Sequence, residues 1–288
     1  MDTITHTLFG MTIYGAVDKR KDDKKTKWAM FVTAVGASQI PDSDVISQLW
    51  DSEGLYQMWH RGITHSLFMV PVWALLFFLV SILVLKRKDW RFFWVPIIAV
   101  FIHNTSDLFN AWGTGYLEPF SSIRLTFGTI PIIDFVIWVI IGVAFFARKL
   151  WKKERHLLYR TVWIFIIAHV AIQTSQGYFL YKQYDEKYNQ VALSASFLPW
   201  HFSIIGKTED KIEIINDSLF TNPKLQYTLE SAESTDLNEL FEQVPEAKTL
   251  YDWSPFVVIV DDDERLGIYD PRFYRNGQSF LFEFIEKQ

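Results

Sequence analysis

Residues 63–85 and 159–181 are each runs of helix length rich in apolar side chains, and no other feature restricts the fold as much. About 20 apolar residues suffice to cross a bilayer as a helix. In hydrocarbon, only helices and closed barrels satisfy their own backbone groups. Residues 92–109 and 130–146 are further candidates of the same kind. Residues 4–17 and 28–40 are shorter, and read equally as a hairpin buried among the others or as amphipathic or re-entrant helices.

The charges between these runs give a direction. Lys19, Arg20, Lys21, Lys24, Lys25 and Lys27 fill the first turn, and Lys86, Arg87, Lys88 and Arg91 fill another. Arg148, Lys149, Lys152, Lys153, Arg155 and Arg160 fill a third. By the positive-inside tendency all three turns face the cytoplasm. The N-terminus, the loops 41–62 and 107–130, and everything after residue 182 are then expected outside. The opening MDTITHTLFG has no basic stretch and no small-residue cleavage site, so no removable signal peptide is expected.

Composition divides the chain in the same place. Residues 1–181 hold 18 Lys and Arg against 13 Asp and Glu, whereas residues 182–288 hold 10 against 20. The expected architecture is mainly α: a polytopic helical membrane domain of about six helices at 1–181, followed by a small extracytoplasmic α+β soluble domain at 182–288. In that tail VALSASFL, KIEII, FVVIV and SFLFEFI read as strands, and STDLNELFEQV reads as a capped helix. The acidic run Asp261–Glu264 lacks the spacing of a calcium loop and reads as a solvated turn. The basic residues lie in short loops between apolar runs, so the lipid bilayer is the expected partner and nucleic acid is not. With no cysteine, thiolate chemistry and disulfides are excluded, and any metal must be held by histidine and carboxylate.

Six metal-philic side chains fall where apolar segments begin or end, all at one depth: His6, Asp44 (or its neighbour Asp42), His60, His65, His103 and Asp107. At the helical rise, His103 stands roughly 18 Å from Arg91 and His65 roughly 30 Å from Leu85. The cluster therefore belongs to the half of the bilayer opposite the basic turns, where ionisable groups are costly and mark function. His103 and Asp107 share a helical face and can meet one ion, or simply pair with each other at a helix end. His60 and His65 bracket Arg61 and Gly62; Arg61 reads as a headgroup anchor or as a phosphate clamp. Pro41-Asp42-Ser43-Asp44 is either a turn and helix cap, or a ligand with a neighbour that orients a histidine; Asp44 is preferred as the ligand. Asp134, inside an apolar run, demands a partner such as Arg124, His169 or a metal-bound histidine. His169, Gln173 and Gln176 form a polar stripe suited to hydrogen bonding between helices.

The early TH…G, then PDSD, HRGITHS, HNTSDLFNAWGT, EPFSSIR and IPIID, resemble the YdjM-type family of membrane-bound metal-dependent hydrolases over roughly residues 1–147. That family is thought to be distantly similar to zinc-dependent phospholipase C and the P1-type nucleases. The resemblance implies His6, Asp44, His60, His65, His103 and Asp107 as metal ligands, with Asp134 matching a recurring family aspartate. In the soluble relatives a processed N-terminal tryptophan completes the cluster with its free amine. Met1 is expected to supply no such group, and no second His-x3-Asp/Glu pair is present, so one or two Zn²⁺ ions are expected rather than three.

The expected activity is hydrolysis of a phosphoester in a lipid or membrane-associated substrate. Metal with Arg61 or Arg124 would stabilise developing charge, and Asp42 or Asp134 would orient a ligand or take a proton. Two other classes compete: a non-catalytic, metal-stabilised membrane regulator or binding protein, and an ion transporter. The transporter requires polar residues continuing toward the basic side, yet residues 74–85 and 137–146 are almost purely apolar.

Overall fold

The computed structural model describes residues 1–150 and 154–287. Lys152 and Lys153 of the third basic turn lie outside the described residues. About half of the chain is helical, and a small antiparallel sheet domain forms its C-terminal part. The helical part contains α1 (Thr3–Ala16), α2 (Lys24–Ala37), the one-turn α3 (Tyr56–Trp59), α4 (Met69–Leu85), α5 (Arg91–Leu108), α6 (Phe135–Ala147) and α7 (Arg155–Asp185). A 3-10 helix, Ile40–Leu49, follows α2, and a 3-10 turn, Ile63–His65, precedes α4.

Helix α1 is the central element, packed against α2, α5, α6 and α7. Its buried face carries Thr5, His6, Phe9, Gly10, Thr12 and Ile13. Gly10 permits the close crossing with α2, because a Cβ there would stand 2.7 Å from the Cα of Val35. Asp2 caps α1 by accepting from the backbone N–H of Ile4 at 2.9 Å and of Thr5 at 3.1 Å. The outward faces are apolar: Leu75, Leu79 and Leu83 on α4, and Ile164, Phe165 and Ile172 on α7, are all exposed. A helix apolar all round is one surrounded by core or by lipid.

The apolar runs and the helices differ in extent. Among the described residues, only α7, with 31 residues, is long and apolar enough to cross a membrane by itself. The expected span 63–85 breaks: Tyr56–His65 and Met69–Leu85 meet at 67°. Thr64, His65 and Ser66 are drawn into the polar cluster by side-chain bonds, which a straight helix would forbid. The run 130–146 yields only α6, 13 residues long, because the Asp134 side chain accepts from Val136 and Ile137 N–H and starts the helix there.

Beyond α7 come β1 (Gln190–Ala195), β2 (Phe202–Lys207), β3 (Lys211–Ser218) and β4 (Thr221–Glu230), an antiparallel meander in sequence order. Next are α8 (Asn238–Gln243), α9 (Pro245–Trp253), β5 (Val258–Asp261) and β6 (Arg265–Tyr269). The small hairpin of β7 (Tyr274–Arg275) and β8 (Gln278–Ser279) leads to β9 (Phe282–Glu286), which closes the sheet β5-β6-β9. Leu180 and Tyr184 of α7 pack into the core of the meander with Leu193, Phe202 and Ile204. Three contacts clamp the tail to loops of the helical part. Ala195 N–H donates to the Gly128 carbonyl at 2.8 Å, and Arg272 donates to the Ala111 carbonyl at 2.5 Å. Trp112 stacks among Trp253, Phe273 and Phe280.

Candidate metal centre

Asp42, His65, His103 and Asp107 converge so that one ligand atom from each lies within 4.8 Å of the others. They come from the 3-10 helix after α2, the 3-10 turn before α4, and the last turns of α5. The two Nε2 atoms of His65 and His103 are 3.1 Å apart. Asp42 Oδ1 is 3.3 Å from His65 Nε2 and 3.5 Å from His103 Nε2. Asp107 Oδ2 is 3.5 and 3.9 Å from the same atoms.

The partners on the far side of each ring decide what faces inward. His103 Nδ1 donates to the Ser38 carbonyl at 2.8 Å, and a carbonyl can only accept, so Nε2 presents its lone pair to the centre. His65 Nδ1 lies 3.3 Å from Asp44 Oδ2 and 3.0 Å from the Thr64 hydroxyl, which orients that ring in the same sense. Two imidazole lone pairs and two carboxylates then face one another in a buried space, an arrangement able to hold a metal ion. The spacing also suits a metal ion. Charge-assisted N–H···O bonds are roughly 2.7–2.9 Å long, and the His–Asp pairs here are all longer. Tetrahedral ligands each about 2.0 Å from one zinc ion stand about 3.3 Å apart, as these do. Asp107 Oδ2 is also buried with no hydrogen-bond partner among the described residues.

Around this quartet the geometry redistributes roles. Asp44, preferred as a ligand from sequence, sits behind His65 instead: it accepts from Arg61 N–H at 2.9 Å and from Thr64 at 2.5 Å, and pairs with His60 Nδ1 at 2.8 Å. Asp42 takes the inward place, because in the 3-10 helix the two aspartates do not share a face. Burial would raise the Asp44 carboxyl, but hydrogen bonds from His60 and His65 hold it well below the usual carboxylate range. His60 is not a member of the quartet. Asp44 stands between it and His65, and it is 27% exposed at the edge of the centre.

His6 stacks on His103 with ring centroids 3.7 Å apart, and its Nε2 is 3.3 Å from Asp107 Oδ1. Neither His6 nitrogen has a hydrogen-bond partner among the described residues. Asp107 thus turns Oδ2 to the quartet and Oδ1 to His6. The α-amino group of Met1 also pairs with Asp107 Oδ1, which corrects the expectation that Met1 brings nothing to the site. Burial, with Arg61 close by, pushes that amine well below its ordinary pKa.

Arg61, read from sequence as a headgroup anchor or a phosphate clamp, is buried among fixed partners. Its Nε is 3.4 Å from Asp107 Oδ2, and it donates to Asn110 Oδ1 at 3.1 Å and to the Met1 carbonyl at 3.3 Å. A left-handed backbone, φ 58°, turns it inward, a strained conformation for a non-glycine residue. Arg124 donates to the carbonyls of Arg61 (2.7 Å) and Met58 and pairs with Glu118 at 3.2 Å, so it braces the Arg61 turn from outside. Asp134 is separate from the cluster: it caps α6 and pairs with His169 Nε2 at 2.8 Å. Ser38, Thr64, Asn110 and Glu118 support the site without having stood out in the sequence. A backbone carbonyl acceptor carries no sequence signal, and a lone Thr or Asn is common at helix ends.

Comparison with known proteins agrees with this frame. The family model described as YdjM inner membrane protein matches residues 1–180. The uncharacterized protein YfhP of Bacillus subtilis (strain 168) is 30% identical over 143 residues, which are 48% of this chain and 43% of that relative. The chain therefore spans less than half the length of the curated relative it matches. No solved structure matches. With more than half of its length inside that match, the chain belongs to the YdjM inner membrane protein family.

Proposed function

We propose that the chain is a multi-pass, membrane-bound, metal-dependent hydrolase that cleaves a phosphoester in a lipid or membrane-associated substrate. One or two Zn²⁺ ions are the proposed cofactor. The reading rests on the quartet Asp42, His65, His103 and Asp107, a cysteine-free His/Asp donor set of the catalytic rather than the structural kind. A divalent ion held there would supply Lewis acidity and lower the pKa of a water toward about 7. Asp107 turns one oxygen toward the quartet and one toward His6, so it would help to hold a metal ion there while pairing with His6.

The protein's own groups carry the rest. Ser38 and Asp44 fix the two ring orientations, and Arg61 positions Asp107 while balancing its charge. His60, partly exposed and backed by Asp44, is the group placed to take or release a proton at the solvent edge. Asp42, 21% exposed, marks the open side of the centre.

A membrane-borne substrate is favoured by a lateral slot of about 540 Å³ between α5 and α7. Phe101 and Ile167 line it, and Met1, beside Asp107, lies at its inner end. The proposed topology places the centre and the tail, proposed as a separate α+β domain, on the extracytoplasmic side, opposite the basic turns. One observation favours a second reading, a metal-stabilised regulator: three of the four ligands are almost fully buried.

Detergent-purified protein should contain at least one equivalent of metal, which His103→Ala and Asp107→Ala should each remove; unchanged content in both would sink the ligand assignment. Hydrolysis of phospholipid or bis-nitrophenyl phosphate, lost in His60→Ala with metal retained, separates enzyme from regulator. A metal-loaded native chain inert toward both substrates would favour the regulator.

A further inference from the structure

At the opposite end of the helical part, α1, α2, α6 and α7 enclose a second cavity of about 780 Å³. This is within the roughly 300–1,000 Å³ range of small-molecule sites. Its rim is basic: Lys19, Arg20, Lys27, Arg148 and Arg155 line it with His156, against a single acid, Asp18. Some of that charge is already engaged. Lys19 donates to the carbonyls of Tyr14 and Val17 at the end of α1, and Arg20 pairs with Asp18 at 2.8 Å and Glu154 at 3.2 Å. Lys27, Arg148 and Arg155 have no carboxylate partner among the described residues. Helix α7 begins at this rim without a side-chain cap, which adds the positive end of its dipole.

Below the rim the lining changes to Met11, Trp138, Ile141 and Phe145, with Gly142 among them. Gly142 leaves real space, since a Cβ added there would meet nothing within 4 Å. The cavity is thus amphiphilic in one direction, with uncompensated cations at the membrane boundary and an apolar recess toward the bilayer core. Free inorganic phosphate would satisfy only the rim, and a neutral lipid only the recess. We propose that this cavity binds one anionic phospholipid of the leaflet facing the basic turns, its phosphodiester against Lys27, Arg148 and Arg155 and an acyl chain beside Gly142. The site is independent of the metal centre and of the activity proposed for it.

The test uses the delipidated full chain in detergent, titrated with dioleoylphosphatidylglycerol, dioleoylphosphatidylcholine or inorganic phosphate. Binding is read by native mass spectrometry and by the thermal unfolding midpoint. Phosphatidylglycerol should form a one-to-one adduct and raise the midpoint, whereas phosphatidylcholine and inorganic phosphate should do neither. In the combined variant Lys27→Gln, Arg148→Gln, Arg155→Gln that affinity should fall about a hundredfold, because each basic side chain near an anionic headgroup contributes roughly fivefold. Gly142→Leu, which fills the recess with a good helix former, should also lose the adduct while keeping its helical circular dichroism. This variant keeps the test decisive if the charge variant fails to fold. Equal binding of phosphatidylcholine, an equal shift with inorganic phosphate, or full binding by Gly142→Leu would each overturn the proposal.

Discussion

Asp42 and Asp44 are two residues apart, yet they face different tasks. Asp42 points into the quartet, while Asp44 holds the rear nitrogen of His65 and the ring of His60. Removing a direct ligand should cost more than removing the group that orients one, which typically costs about 10–100-fold in metal affinity. Asp42→Ala is therefore expected to lower zinc affinity further than Asp44→Ala, measured by competition with a chelator of known strength. The reverse order would exchange the roles. At this scale the sequence was informative about who gathers and poor about who faces whom. Histidines and aspartates are conspicuous against apolar helices, so His6, His65, His103 and Asp107 stood out. The choice between Asp42 and Asp44 depends on a 3-10 turn whose phase no apolar period announces. The Ser38 carbonyl and the Met1 amine are backbone groups, invisible in any pattern of side chains.

The elements show where the same limit applies to helices and strands. Residues 63–85 look like one helix because their composition is uniform, and the break at 66–68 arises from polar bonds to distant loops. Of the tail strands, β1, β3, β5 and β9 fall on the four apolar runs read from sequence. Strands β2, β4, β6 and β7 were missed: β4 carries Thr221-Asn222-Pro223-Lys224 at its start, β6 is only five residues long and β7 only two. Asp134 is the clearest case of an element defined by one side chain. Asp134→Ala removes the α6 cap, worth about 1 kcal/mol, and strips buried His169 of its partner, worth a further 1–3 kcal/mol or so. A lowered unfolding midpoint with unchanged metal content is expected; loss of metal would tie Asp134 to the centre after all. Gly10→Leu should also be damaging, since the side chain would have to displace the α2 backbone. A drop of more than about 2 kcal/mol is expected from such overpacking, read as thermal unfolding in detergent.

For the whole molecule, the proposed topology can be read with chemical probes, because the chain contains no cysteine of its own. Single cysteines replacing Lys21 or Lys88 should react with a membrane-impermeant maleimide only after lysis. Cysteines replacing Asp51 or Gln226 should react in intact cells. Labelling of both sets from one side would refute the multi-pass reading. Charge and composition place an expected division near residue 182; in the structure α7 ends at Asp185 and β1 starts at Gln190. That the tail grips the loops beside the cluster was not visible, because contacts such as Arg272 with Ala111 join positions far apart in sequence. Arg272→Ala should loosen this grip and make the loop around Ala111 a new site of limited proteolysis.

Helix α7 has one further implication. Its 31 residues make a rod about 46 Å long at the α-helical rise, against a hydrocarbon layer of about 30 Å. In the proposed topology the excess would act as a mast, setting how far the sheet stands from the lipid surface. Because the sheet is fastened both to the mast and to the loops around the cluster, the clearance between them cannot be adjusted by a hinge in a linker. In the proposed topology, whatever reaches the histidines would have to fit beneath a sheet held at a set height or arrive sideways through the bilayer, so the length of one helix would set a size limit.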